Sequence, residues 1–234
     1  MEFSGLKVVL VHDWLNGMRG GEKVLEYFCR IFPNAVIYTL HSEPAKVSDT
    51  ILSHKINNSF IQYIPFKKYL YRWLLPLYPM AVNSFDLKNC DLVISTSHCA
   101  VKNINVPVSV PHICYCFSPM RYAWTLNKDY FGEKGLKVFI INKILDYLKK
   151  WDFNGAKRVT SFIAVSGTVQ ERIAQFYGRE STVVYPPTEI IFTPQNNKED
   201  YFLVLSALTP YKKIDIAINV CNQLNLPLKI AGSG

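Results

Sequence analysis

No C-x-x-C pair, no H-E-x-x-H and no G-x-G-x-x-G occurs in the 234 residues. Each absence closes a route. The six cysteines (Cys29, Cys90, Cys99, Cys114, Cys116 and Cys221) lack the paired spacing of a zinc or redox motif, so free thiols in a reducing cytosol are expected. Cys114 and Cys116 share one face of a strand, a poor geometry for a disulfide and half a metal site at best. The five histidines are scattered, and no metal or cofactor is expected. The missing glycine fingerprint argues against a dinucleotide-binding oxidoreductase, as does Thr39-Leu40-His41 where an acidic residue would end the second strand. Long apolar runs are lacking too. The charge-free apolar stretch Trp73 to Val82 contains two prolines and falls short of the roughly 20 residues that span a bilayer. The first apolar run ends early, at His12-Asp13, and suits a buried strand better than a signal core.

Acidic residues are the scarcer charge, 18 against 26 Lys and Arg, for a formal net charge of +8. That excess favours anionic partners, whether a nucleotide diphosphate, a membrane surface or nucleic acid, and does not choose among them. Nucleic acid has only the net charge in its favour and is not expected as a partner. With 49% hydrophobic and 19% charged residues the chain is a folded one, large enough for one large domain or two smaller ones.

Short apolar runs alternate with helical patterns. Strands are expected at 6–11, 35–40, 91–95, 110–116, 160–165 and 181–185, and helices at 21–32, 65–75, 135–153 and 167–177. Such alternation predicts an α/β fold, a parallel sheet with helices on both faces. Ligands of open α/β sheets bind outside the carboxyl ends of the strands. Ser166, before Gly167-Thr168-Val169-Gln170, reads as a helix cap.

The stretch "DWLNGMRGGEKVLEYF" (13–28) places Gly20 and Gly21 between the first strand and a helix with Val24, Leu25, Phe28, Ile31 and Phe32 on one face. Glycine there allows positive φ and close approach of a ligand to the backbone. The helix that follows aims free N–H groups at the turn. An anion or sugar site and a bare βα turn both fit this stretch. In "PFKKYLYRWLLPLYP" apolar residues recur at helical spacing beside Lys67, Lys68 and Arg72, and 138–151 repeats the pattern with Lys143, Lys149 and Lys150. Basic, aromatic helices of this kind either pack into a core or lie on an anionic membrane.

Near residue 186 the texture changes. Residues 1–192 read as one domain and 193–200 ("TPQNNKED") as a linker. Residues 201–234 form one β-α-β unit. Pieces below roughly 40 residues rarely fold alone, so the expectation is an incomplete second domain of a longer protein.

Five stretches together resemble a known family: "VHDWLNGMRGGEKVLE" (11–26), "CDLVISTSHCAVK" (90–102), "HICYCFSPMRYAW" (112–124), "AVSGTVQERIAQFYGRESTVVYPP" (164–187) and "SALTPYKKIDIAI" (206–218). In this order they resemble the N-terminal portion of family 4 retaining glycosyltransferases of the GT-B fold. The likeness is greatest to the mannosyltransferase-like members that build bacterial surface polysaccharides. The resemblance implies two Rossmann-like domains, the first receiving the acceptor and the second holding a nucleotide-sugar donor. It implies transfer of a hexose, with mannose the first candidate, to a lipid-linked or saccharide acceptor at the inner face of the membrane, by a cytoplasmic, peripherally attached enzyme.

The resemblance also implies roles. Gly20 and Gly21 would approach the donor diphosphate and sugar, and Lys212 with Lys213 would neutralise the diphosphate. His12, Asp13, Arg19, Ser97, Arg121 and Tyr122 would lie on the acceptor side. His98 would stand near the reacting sugar as the candidate catalytic residue, with a helix-cap role as the alternative. Three departures stand against this pattern. Ala207 occupies the place of the family's arginine, Phe117 that of a histidine, and the downstream Glu-x7-Glu segment is absent. Losing one charge-assisted contact to phosphate costs about 1.5–3 kcal/mol. A degenerate or truncated chain that binds an acceptor or partner without transferring sugar is therefore the competing expectation.

Overall fold

A computed structural model describes residues 5–66, 73–87, 89–125, 136–189, 193, 199–209 and 212–232. The chain divides into two compact units, Met1–Pro187 and Thr188–Gly234.

In the first unit the described elements run β1 (Val8–His12), α1 (Gly20–Ile31), β2 (Val36–Thr39), α2 (Asp49–Leu52), β3 (Ile56–Asn58), α3 (Tyr78–Asn83), β4 (Leu92–Ser97), β5 (His112–Cys116), α4 (Arg121–Trp124), α5 (Leu136–Ala156), β6 (Ser161–Ala164), α6 (Gly167–Tyr177) and β7 (Ser181–Val183). The strands form one parallel sheet in the order β3-β2-β1-β4-β5-β6-β7. The order reverses between β1 and β4, which opens a crevice at their carboxyl ends.

The central strands are buried on both faces, which explains why β1 reads as a continuous apolar run rather than an alternating one. On one face Val8 and Leu10 pack with Leu25 and Cys29 of α1. On the other, Val9, Val11 and Val93 pack with Tyr78, Ala81 and Val82 of α3 and with Ile141, Leu145 and Leu148 of α5. Cys114, Cys116, Phe162 and Ala164 meet Val169, Ile173 and Tyr177 of α6 in a third cluster. All six cysteines are buried, and none forms a disulfide. Ser166 caps α6 by accepting from the Val169 N–H at 3.3 Å, as its sequence context predicts.

The differences from expectation are local. β3 is absent from the sequence reading, because Ile56-Asn57-Asn58 is short, half-buried and without alternation. The helix expected over 65–75 falls largely outside the described residues. Its end, Leu75–Leu77, is a 3-10 turn leading into α3, where Pro79 occupies the first turn.

The second unit holds β8 (Phe202–Leu205), α7 (Ile214–Gln223) and β9 (Leu228–Ala231). β8 and β9 pair in parallel, from Phe202 opposite Leu228 to Leu205 opposite Ala231. Phe202, Leu203, Leu205, Ile216 and Ile230 are exposed. No helix among the described residues is long and apolar enough to cross a membrane.

Candidate functional site at the carboxyl edge of the sheet

β1 ends at His12, and the chain turns over the sheet edge at Asp13. The Asp13 carboxylate is fully buried. Its Oδ2 accepts from the backbone N–H of His98 at 2.7 Å and of Cys99 at 2.9 Å. Its Oδ1 accepts from Ala100 at 2.7 Å and Val101 at 3.0 Å. The Ser97 hydroxyl donates to Oδ2 at 3.3 Å, and His98 Nδ1 lies 3.2 Å from the same oxygen. One carboxylate thus ties the end of β1 to the turn after β4. Burial pushes its pKa up, but the neighbouring His98 and the N–H donors outweigh burial and hold it below the usual carboxylate range.

This fixes His98. Beside an ionised carboxylate its Nδ1 carries the proton and donates, so Nε2 presents a lone pair. The imidazole ring meets Trp14 edge-on, with centroids 4.6 Å apart at 86°, and its side chain keeps 20% of its surface open. Burial pushes the His98 pKa down against the pull of Asp13, and the charges of Arg121 and Arg19 push it further down. The neutral ring is therefore an acceptor with two arginines in electrostatic range.

His12 is held by a different hydroxyl. Thr96 Oγ1 donates to the Val11 carbonyl at 3.4 Å and stands 2.7 Å from His12 Nδ1, which makes Nδ1–H the donor. Burial takes the His12 pKa to about 4, against the opposing charge of Asp13. The His12 ring lies against the start of α1. A Cβ on Gly21 would sit 3.4 Å from His12 Cε1 and 3.5 Å from the Phe117 ring.

Gly20 and Gly21 are not the positive-φ turn that the sequence suggests. They are the first two residues of α1, and neither has positive φ. Gly21 serves close approach of two rings, and beside Gly20 the space is open. Arg19 precedes the helix, and its backbone N–H donates to Glu22 Oε2 at 3.2 Å. Phe117 packs edge-on against Tyr115, with centroids 5.6 Å apart.

Hydrogen bonds, packing and charge thus bring His12, Asp13, Arg19, Gly21, Ser97, His98 and Arg121 to one edge. Arg121 opens α4 and is partly exposed, whereas Tyr122 is buried in the core cluster. Lys212 and Lys213 belong to the second unit. Both are exposed, and Lys213 takes a left-handed conformation (φ 51°) just before α7. Among the described residues no group of three or more His, Cys, Asp or Glu side chains could hold a metal.

Sequence reasoning missed the partners Trp14 and Thr96, and a second polar centre behind the site. Lys102 is 2% exposed. Its Nζ lies 2.7 Å from Asp152 Oδ1, donates to Asn103 Oδ1 at 2.8 Å and faces the Tyr177 ring at 4.6 Å. Asp152 Oδ2 accepts from Trp124 Nε1 at 2.8 Å and from the Tyr177 hydroxyl at 2.7 Å. This network pins α4, the carrier of Arg121, to α5. The only signal in the sequence was a lysine inside the apolar run "CAVKNI".

No protein-family model matches the sequence, and no curated protein matches it. Solved structures do. The lipopolysaccharide outer core galactosyltransferase WaaB, in its apo form, is similar over 98% of this chain and 61% of its own, with TM-score 0.56 and 16% identity. HepE of Anabaena in complex with UDP is similar over 98% of this chain and 70% of its own, with TM-score 0.57 and 15% identity. The fold is of the GT-B type. The chain spans about three-fifths of the length of WaaB.

Proposed function

We propose that this chain is part of a retaining glycosyltransferase, its first unit receiving the acceptor and its second contributing to the donor site. The reading assigns residues 1–192 to the acceptor-side domain and 201–234 to the beginning of a donor domain. The donor is a nucleotide diphosphate sugar. The transferred group is a hexose, with mannose as first candidate. The acceptor is a lipid-linked or other saccharide presented at a membrane face. In the reaction the bond from sugar C1 to the diphosphate oxygen breaks, and a bond from C1 to the acceptor oxygen forms on the same face. The acceptor proton passes to the departing phosphate oxygen.

The observation that carries this reading is the Asp13-latched His98 at the switch point of the sheet. A neutral Nε2 acceptor suits a sugar hydroxyl. Arg19 and Arg121 suit the anionic groups of donor or acceptor. The start of α1 offers free N–H groups next to Gly20, and Lys212 and Lys213 supply positive charge for the leaving diphosphate. Catalysis of this kind rests on positioning and charge stabilisation. The GT-B fold and UDP in HepE lend support.

Isothermal titration with UDP- and GDP-sugars tests it. Micromolar binding of one of them is expected. His98→Ala should retain nucleotide binding and lose about tenfold to hundredfold in transfer to a saccharide acceptor. The absence of binding at millimolar donor would overturn the reading.

A further inference from the structure

The inner side of α5 is spoken for: Ile141, Leu145, Leu148 and Ala156 pack into the core, and Asp152 anchors α4. Its outer side has an unusual composition. Phe139, Ile140, Tyr147 and Phe153 are 60%, 54%, 56% and 36% exposed. At 3.6 residues per turn these four fall within roughly 140° of the helix circumference, opposite the core face. Lys143 and Lys150 share that sector, and Lys157 continues it one residue past the helix end; all three are exposed.

Aromatic residues and lysines therefore alternate along one stripe: Phe139, Lys143, Tyr147, Lys150, Phe153, Lys157. Two pairs are already in contact, Lys143 Nζ at 5.6 Å from the Phe139 ring centroid and Lys157 Nζ at 4.6 Å from that of Phe153. Asp146 is the one exposed acid in the sector. Four large apolar groups on the water side of a helix oppose ordinary solvation. The lysines rule out a plain apolar partner, because burying their charges unpaired is costly.

We propose that this outer face of α5 is a docking surface for an anionic lipid bilayer. The aromatic rings suit the headgroup boundary, and lysine stems lie along apolar surface while their ammonium groups reach phosphate. The complementarity extends to the whole chain, with its net charge of +8. The same sheet face is covered in part by a segment that also exposes Trp73 and Met80. The inference rests on the proposed transferase reading for its purpose. A lipid-linked acceptor would be met by a helix whose other side holds α4 and Arg121. The surface itself stands on the exposures and charges alone.

Vesicle co-sedimentation tests it, with phosphatidylcholine vesicles made with and without phosphatidylglycerol. The chain should sediment only with the anionic vesicles, and added salt should release it. The combined variant Lys143→Glu, Lys150→Glu, Lys157→Glu should weaken binding by about a hundredfold or more. The variant Phe139→Ser, Tyr147→Ser, Phe153→Ser should weaken it at least about tenfold while keeping the lysines. Both sets are exposed, so circular dichroism and nucleotide-sugar titration should match the parent chain. Unchanged vesicle binding in both variants would overturn the assignment to α5. So would binding to a second copy of the chain or to an oligonucleotide in place of vesicles. Vesicle binding without nucleotide-sugar binding would sink the transferase reading and leave the surface intact.

Discussion

Asp13→Asn is a sharp perturbation, because the substitution keeps shape and removes only charge and one acceptor atom. Both carboxylate oxygens are committed, Oδ2 to the His98 and Cys99 N–H groups and Oδ1 to those of Ala100 and Val101. An amide must place its NH2 group against one of these pairs. The milder orientation gives up Ala100 and Val101, both fully buried. Two charge-assisted hydrogen bonds at about 1.5–3 kcal/mol each amount to a loss of about 3–6 kcal/mol. That is a large share of the roughly 5–15 kcal/mol that holds a domain together. Urea unfolding followed by tryptophan fluorescence reads it directly, since Trp14 lies beside the latch. Ser97→Ala, which removes one 3.3 Å bond, should cost only about 1 kcal/mol. If Asp13→Asn unfolds within about 1 kcal/mol of the parent, Asp13 is not the tie between β1 and the turn after β4.

Acid should destabilise the first unit through its buried imidazoles. Burial takes His12 to about 4, against Asp13, and burial together with the charges of Lys102 and Arg158 takes His112 to about 3. Both folded values lie below the unfolded value of 6.5, so the unfolded chain binds more protons. Stability is full above roughly pH 6.5 and falls towards pH 4 for His12 and pH 3 for His112, by about 1.4 kcal/mol per pH unit and per group. Urea midpoints that stay flat from neutrality to pH 5 would contradict this. Gly155→Ala should destabilise by about 1–3 kcal/mol, because the added Cβ collides with the Asn103 side chain; a parent-like melting curve would contradict the packing. Lys102→Met should cost about 3–5 kcal/mol by stranding the Asp152 charge, again read by urea unfolding. Gly21→Ala should keep or slightly raise stability, since the new methyl meets only ordinary contacts. It should weaken nucleotide-sugar binding in titration if the start of α1 approaches the donor.

Where side-chain pattern and strand period coincide, the fold is legible in the chain. β1, β4 and β5 are buried on both faces, and their apolar runs stand out. β3 escapes because two asparagines occupy an edge strand whose pairing with β2 depends on tertiary contact. The site is legible in part: His12, Asp13, Ser97 and His98 sit at strand ends, where ligands of parallel sheets gather. What no periodicity reveals is who holds whom. That Asp13 spends both oxygens on a turn 85 residues or more away is a fact of register, set by β1 pairing with β4 from Val8–Leu92 to His12–Thr96. The same register puts Thr96 beside His12. Gly21 illustrates the limit in another way. Its glycine was readable as a close-approach position, but whether a ring or a ligand approaches depends on Phe117, which arrives from β5.

Phe117 also bears on the choice between an active and a degenerate chain. The family resemblance puts a histidine at this position, and a histidine lost by decay would leave a poorly filled space. Here the phenyl ring meets Tyr115 edge-on and lies in van der Waals range of any methyl added to Gly21. Its backbone N–H donates to the Ser97 carbonyl at 2.8 Å. The edge is thus packed around phenylalanine, with Gly21 giving room for its ring. Phenylalanine at 117 changes what this edge of the sheet can hydrogen-bond, but not how the turn after β4 is held. The latch on Asp13, the tautomer of His98 and the arginines flanking it are all independent of residue 117. On the proposed transferase reading, a packed ring in place of one polar contact alters sugar preference and leaves transfer intact. Phe117→His should therefore shift the donor preference in titration against a panel of UDP- and GDP-sugars. Equal weakening toward every donor would count against that reasoning.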